Sequence, residues 1–314
     1  MNTLENTTRS GFIAIVGRAN VGKSSLMNKL LGQKIAIVSD KPQTTRTRIM
    51  GVLTEGDDQL IFVDTPGFHK PKNKLGERMM ESVSSGLSGV DAVALVVEAA
   101  PKFRLEPDDM PKAELALIDE IKKRNLKAVL VINKIDLLKD KSELLPIISA
   151  YTALHEFAAV LPVSAVKEQG LDELKGEFLK HVKPSPHFFA ADEVTDQADS
   201  VIVTELIREK MLRLLDKEIP HGIAVGLERF FERDTASGEP IIEAEANIYC
   251  ERDSHKGIII GKGGAMLKKI GTLARADIEE FFGCKVNLKL WVKVKEDWRN
   301  RDGLIHSFGL DNKD

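Results

Sequence analysis

Gly17-Arg18-Ala19-Asn20-Val21-Gly22-Lys23-Ser24 has the composition and spacing of a phosphate-binding loop. Its glycines let the backbone curl until successive N–H groups face an anion, and a helix starting near Ser24 adds its positive end to that field. Gly17, Asn20, Val21 and Gly22 form the expected cradle, continued by Ser25; Lys23 reaches the outer phosphates, and Ser24 offers a hydroxyl to Mg2+. Taken alone, the same residues also fit a plain glycine-rich turn, and they say nothing about a base.

Three more short motifs follow in order, each placed after an apolar run. Asp64-Thr65-Pro66-Gly67 comes directly after Leu60 to Val63, which puts the Asp64 carboxylate at the end of a strand, where it can hold an Mg2+ shell. The Gly67 N–H can contact a γ-phosphate and sense its loss. Asn133-Lys134-Ile135-Asp136 selects the base. A carboxylate at Asp136 accepts two hydrogen bonds, from guanine N1–H and the exocyclic amine, whereas adenine has no N1 donor. Ser164-Ala165-Val166 is suited to present backbone N–H to the guanine carbonyl. Each match is cheap by itself; their conjunction implies a switch protein that binds and hydrolyses GTP. Between the first two motifs, Pro42-Gln43-Thr44-Thr45-Arg46-Thr47-Arg48 stands where such proteins keep the loop that closes on γ-phosphate and Mg2+. Thr45 is the expected ligand, with Thr44 its rival and a solvated polar loop the bland alternative. Lys23, Thr45 and Gly67 are thus the expected catalytic residues, and Ser24, Thr45 and Asp64 the metal ligands.

A different chemistry is suggested by Gly261-Lys262-Gly263-Gly264. A G-x-x-G turn lets a nucleic-acid backbone come close because nothing projects from its glycines, the arrangement of a KH domain. Lys262, Lys268 and Lys269 would neutralise phosphates, while Ile260 and the isoleucines before it would floor unstacked bases. A plain glycine turn in an α+β domain is the alternative.

The elements that must position these residues can be read from periodicity. The first half alternates short β-branched runs with amphipathic helical segments, predicting an α/β, three-layer doubly wound sheet. Strands are expected at Phe12 to Val16, Arg48 to Leu53, Gln59 to Val63, Ala92 to Val97, Ala128 to Ile132 and near Val160, with Glu55 to Asp58 turning the second and third into an antiparallel pair. A helix over Leu171 to Val182 ends at Lys183-Pro184-Ser185-Pro186. The expected organisation is residues 1–183 as nucleotide domain, 184–200 as linker and 201–314 as an α+β domain. That second domain reads helix (Ile202 to Ile219), strand, strand, glycine loop, helix (Ala265 to Phe282), strand. Its last strand alternates Val286, Leu288, Leu290, Val292 and Val294 against Asn287, Lys289, Trp291, Lys293 and Lys295.

Composition narrows the class further. The 314 residues are 43% hydrophobic and 30% charged, as in ordinary globular protein. No apolar run approaches the ~20 residues of a transmembrane helix, Met1 to Ser10 is polar rather than signal-like, and a cytoplasmic location is expected. A peripheral association at the inner face of the cell membrane stays open. Two cysteines, Cys250 and Cys284, are too few for a disulfide framework and read as buried neutral thiols. The net charge of −3 excludes a protein basic all over, so any nucleic-acid face must be local.

With these residues in view, the sequence resembles the Era-type GTPases over nearly its whole length. The resemblance is carried by Gln43-Thr44-Thr45-Arg46-Thr47-Arg48, by Asp64-Thr65-Pro66-Gly67-Phe68, and above all by the C-terminal module, whose element order matches a type II KH domain. It implies a P-loop GTPase using GTP/GDP and Mg2+, which binds small-subunit ribosomal RNA near its 3′ end and assists maturation of the small ribosomal subunit. Where Ras-like proteins have a water-orienting glutamine, this chain has Phe68, with no polar atom. In some relatives an asparagine in the position of Asn20 helps bind K+, so K+ joins the expected cofactors. Two alternatives remain: a metabolic P-loop kinase, which Asn133 and Asp136 speak against, and an RNA-binding scaffold with a slow or vestigial nucleotide switch.

Overall fold

Strands covered on both faces need continuous apolar runs, and the longest such runs here become the middle of a sheet. The computed structural model describes residues 8–68, 71–99, 110–216 and 219–310; the polar start of the chain, residues 1–7, lies outside them. In chain order the first half contains β1 (Arg9–Val16), α1 (Lys23–Leu31), β2 (Ile49–Glu55), β3 (Asp58–Asp64), α2 (Lys74–Gly86), β4 (Ala92–Glu98), α3 (Lys112–Lys123), β5 (Ala128–Asn133), α4 (Leu144–Thr152), β6 (Ala159–Pro162), α5 (Leu171–Phe178) and β7 (Lys183–Pro184). The sheet order is β2-β3-β1-β4-β5-β6, parallel except for β2, which turns back antiparallel on β3 through the expected hairpin. Ile13 to Val16, Ala92 to Val97 and Val129 to Ile132 have no exposed surface, which explains why these runs carry no polar alternation. The parallel register brings the carboxyl ends of β3, β1, β4 and β5 to one edge, with Ile15 beside Asp64 and Glu98 beside Asn133.

Contacts divide the chain into two units, and the stretch read as a linker, 184–200, falls on both sides of the division. Through Asp196 it belongs to the first unit. β7 pairs with the start of β1, the Gln59 side chain accepts from Phe188 N–H at 2.8 Å, and Val52 N–H donates to Val194 at 2.9 Å. It thus straps the edge strand β2, satisfying backbone groups that an open edge would expose. The helix read to Val182 stops at Phe178 and closes in a 3-10 turn.

The second unit comprises Ile37–Thr44, Lys72–Arg78 and the chain from Gln197 onward. It contains α6 (Asp199–Leu214), β8 (Ala224–Asp234), β9 (Pro240–Cys250), α7 (Asp253–Ile260), α8 (Ala265–Phe282), β10 (Lys285–Val294) and α9 (Asp302–Ser307). The sheet order is β10-β9-β8, with β9 parallel to β10 and antiparallel to β8. Ile202, Leu206 and Met211 of α6 pack with Ile270, Ala274 and Ile278 of α8 over Ile242 to Ile248 of β9. Period-two alternation in β10 holds: Val286 and Val292 are buried, whereas Asn287, Lys289, Trp291 and Lys293 are exposed. Two helices, α7 and the last one, α9, are absent from the expected order. Ile258-Ile259-Ile260, β-branched and suggestive of a strand, is the last turn of α7. Only Ile259 is buried, so the helix follows its tertiary setting rather than the residues' strand preference. Cys250 is buried with its thiol pushed up by desolvation, and Cys284 is half-buried just after Gly283.

Candidate nucleotide site and RNA-binding surface

β1 ends at Val16 and α1 begins at Lys23, so the phosphate-type loop lies between a strand's carboxyl end and a helix's amino end. Gly22 is in the left-handed region at φ 98°, and a Cβ there would lie 2.3 Å from Asn133 Nδ2, so both its backbone and its neighbour require glycine. Asn20 is left-handed too, at φ 66°. The buried Lys23 ammonium donates to the carbonyls of Gly17 at 3.2 Å and Arg18 at 3.0 Å. Burial pushes its pKa down to about 8, against the attraction of Asp64. Phe68 N–H donates to Gly17 at 3.2 Å, which lays Gly67 so close to the loop that a Cβ on it would be 2.7 Å from Ala19 Cα.

Ser24, Thr45 and Asp64, far apart in sequence, converge. Ser24 Oγ donates to Asp64 Oδ2 at 2.6 Å and lies 2.9 Å from Thr45 Oγ1, which is 3.4 Å from the same Asp64 oxygen. Thr44 is elsewhere, its hydroxyl bonded to Lys41 O at 2.6 Å and lying 2.8 Å from Ser39 Oγ. Asp64 is fully buried; desolvation raises its pKa against Lys23 and the two hydroxyls, and Oδ1 has no hydrogen-bond partner among the described residues. A buried carboxylate with one orphaned oxygen, and two hydroxyls at its other oxygen, fits a hard, oxygen-seeking cation such as Mg2+. Among the described residues no trio of His, Cys, Asp or Glu offers another metal site.

The base-selecting motifs are tied to the loop by one buried side chain. Asn133 Nδ2 donates to Val21 O at 2.9 Å, while Oδ1 accepts from Lys134 N–H at 2.8 Å and Ala165 N–H at 3.1 Å. Asp136 is exposed and accepts from the Ser164 hydroxyl, whose oxygen in turn accepts from Lys167 N–H at 3.1 Å. Lys134, left-handed at φ 66°, reaches Glu98 at 3.0 Å, and Val166 lies exposed at the rim. Ser25 sits half-buried in the first turn of α1. One part of this arrangement has no sequence signal. The fully buried Glu114 of α3 accepts from Arg18 of the loop and from Tyr151 of α4, and burial followed by the Glu114 charge pushes the tyrosine hydroxyl far up. Separations of 96 and 37 residues with no motif around them leave nothing to read.

In the second unit, α7 ends at Gly261 and α8 starts after Gly264, so the glycine turn joins two helices. A Cβ on Gly261 would lie 2.9 Å from Met266 N, which keeps the turn tight. Lys262, Lys268 and Lys269 are exposed and make no ion pair among the described residues. On β10, by contrast, Lys289 pairs with Glu245 at 3.1 Å and Lys293 with Glu228 at 3.0 Å. Three lysines without an ion pair among the described residues thus stand at or just beyond the glycine turn. Ile258 is half-exposed and Ile260 partly so, whereas Ile259 belongs to the core and cannot form a floor for bases. Trp291, at 44% exposure, is freer than a packed strand aromatic would be.

Known proteins share this arrangement. The family described as "50S ribosome-binding GTPase" matches residues 12–134, and the family described as "KH domain" matches residues 218–299. GTPase Era of Ruminiclostridium cellulolyticum is 47% identical over 302 residues, 96% of this chain and 97% of that protein. GTPase Era of Clostridioides difficile is 47% identical over 305 residues, 97% and 99% of the two chains. A crystal structure of Era in complex with MgGDPNP and nucleotides 1506–1542 of 16S ribosomal RNA superposes with a TM-score of 0.89 at 35% identity, covering 97% of this chain and 99% of that one. A variant of Aquifex aeolicus Era bound to GDP·AlF4− gives 0.89 at 36%, covering 97% and 100%. With relatives 47% identical over 96% or more of this chain and of their own length, this chain belongs to the Era family of GTPases.

Proposed function

We propose that residues 1–183 bind and hydrolyse GTP while residues 201–314, joined through 184–200, bind small-subunit ribosomal RNA near its 3′ end, in the maturation of the small ribosomal subunit. The observation that carries this reading is the coexistence, in one chain, of the Ser24-Thr45-Asp64 convergence with unpaired lysines at a G-x-x-G turn. Asp136 reads guanine, oriented by Ser164; Asn133 holds the base-reading loop to the phosphate loop. Lys23 exchanges its two carbonyl partners for phosphate oxygens, and Gly67 N–H meets the γ-phosphate. Ser24, Thr45 and Asp64 would hold Mg2+, which supplies neutralisation of phosphate charge when bound. Gly261 to Gly264 admit the RNA backbone, Lys262, Lys268 and Lys269 neutralise it, and Ile260 borders the bases.

Phe68 has no polar atom to orient the attacking water, so that orientation, and any charge an arginine finger would add at the reacting phosphate, must come from elsewhere. K+ held with the help of Asn20 is the proposed source. Phosphate release should rise when K+ replaces Na+, stay within about tenfold of wild type in Phe68→Ala, and lose its K+ response in Asn20→Ala. An unaltered K+ response in Asn20→Ala would remove the cation from the scheme. The missing glutamine also favours a second reading, an RNA-binding scaffold with a slow or vestigial switch; turnover that stays negligible with and without RNA would select it. No helix among the described residues is long and apolar enough to cross a membrane, and contact with the membrane's inner face, tested by vesicle flotation, is supported by no residue described above.

A further inference from the structure

Three consecutive residues of α6, Arg208, Glu209 and Lys210, are all charged and all buried, with exposures of 2%, 0% and 5%. Successive helical residues point about 100° apart, so burying all three requires cover on more than one side. The segment Ile37–Thr44 supplies one side. Glu209 Oε1 accepts from Val38 N–H at 2.9 Å, and Arg213 donates to Val38 O at 3.1 Å. At the other end of the segment Arg208 donates to the carbonyls of Gln43, at 3.4 Å, and Thr44. α8 supplies the other side through an ion pair between Lys210 and Asp277, and Lys210 also meets Glu209 at 3.0 Å.

Fully desolvated charges are poor core material, since apolar side chains of similar volume pack at least as well. Glu205 meets part of the Arg208 charge, but Arg208 and Glu209 also hold backbone: together with Arg213 they make five bonds to main-chain atoms at the two ends of an eight-residue segment. That segment needs holding. Gln43 is left-handed at φ 62° without being glycine, and its buried Oε1 has no hydrogen-bond partner among the described residues. One peptide bond beyond Thr44 stands Thr45, whose hydroxyl lies 2.9 Å from Ser24.

We propose that Arg208 and Glu209 are positioning residues for nucleotide discrimination, gripping the segment Ile37–Thr44 so that Thr45 is presented for the triphosphate state. This rests on the reading of Thr45 as the ligand that senses γ-phosphate and Mg2+. Because Thr45 has work to do only when γ-phosphate is present, loosening the grip penalises GTP and spares GDP. The Lys210–Asp277 pair extends the same buried chain of charges to α8, the helix that begins at the glycine turn.

The test measures affinities of the full-length protein for a non-hydrolysable GTP analogue and for GDP, with Mg2+, in wild type, Arg208→Met, Arg208→Lys, Arg213→Ala and Thr45→Ala. The expected result is a loss of analogue affinity of fivefold or more in Arg208→Met, with GDP affinity within about twofold, partly rescued in Arg208→Lys. Arg213 is half-exposed, so Arg213→Ala gives a fold-safe version of the same selective loss, about two- to threefold. Equal losses for both nucleotides, or none, in Arg208→Met and Arg213→Ala while Thr45→Ala loses analogue binding selectively, would overturn the grip and leave the Thr45 reading standing. No selective loss in Thr45→Ala would overturn both.

Discussion

A carboxylate and an ammonium decide most of what the nucleotide site does, and both can be tested one residue at a time. Asp136 stands exposed with its acceptor geometry set by Ser164. Replacing it by Asn exchanges a double acceptor for a group that also donates, which suits xanthine, where a carbonyl stands in place of guanine's amine. Asp136→Asn should lose GTP affinity by about a hundredfold or more and gain XTP binding, read by competition between the two nucleotides. An unchanged preference for GTP would take Asp136 out of base recognition. Lys23 makes a pH prediction. Burial lowers its pKa to about 8 in the free site, and bound phosphates restore the proton, so binding takes up a proton once the pH exceeds that value. GTP affinity should therefore be level below pH 8 and fall about tenfold by pH 9. Lys23→Met should bind weakly with no such fall, and a wild-type profile flat to pH 9 would mean that Lys23 stays charged in the empty site.

Among the elements, the glycine turn between α7 and α8 is the sharpest handle on RNA. Gly263 is left-handed at φ 59° with nothing within 4 Å of where a Cβ would stand. Asp and Asn are the side chains that tolerate this conformation best, at about 1–2 kcal/mol of strain or less. Gly263→Asp and Gly263→Asn should therefore fold alike and bind GTP normally, while only the aspartate places a negative charge in the path of a phosphate. RNA affinity should collapse in the first and be largely kept in the second; equal affinities in a filter or anisotropy assay would displace the binding surface from this turn. Lys262→Ala and Lys268→Ala should each lower the salt dependence of RNA binding by about 0.7 in log–log slope. Lys289→Ala, whose charge is already met by Glu245, should leave that slope unchanged.

The elements also mark what could be read in advance. β1, β4 and β5 were legible because burial on both faces leaves an unbroken apolar run, and α8 was legible to its last residue because Gly264 and Gly283 bracket it. α7 was not, since three isoleucines in a row carry a strand signal that only packing overrules. Motif residues of the nucleotide site could be named because phosphate, metal and guanine each impose a short local pattern, and the structure brings Ser24, Thr45 and Asp64 together. Glu114, Tyr151 and the grip of Arg208 and Glu209 were invisible. Each acts across long separations on backbone or on a single partner, and a charged residue in a helix reads as solvent-facing until something covers it.

For the whole molecule, the claim that matters is that one chain joins a GTPase to a reader of ribosomal RNA. The chain's net charge of −3 gives no general attraction to nucleic acid, so binding must be local, and the unpaired lysines at and beyond Gly261 to Gly264 are the surface proposed for it. The most direct measurement is crosslinking of the full-length protein to RNA in cells, followed by sequencing of the bound fragments, for wild type and for Gly263→Asp. Reads from wild type should concentrate at the 3′ end of small-subunit ribosomal RNA and vanish from that position in Gly263→Asp. Reads spread over other RNAs, or a 3′-end peak that survives the substitution, would contradict the account.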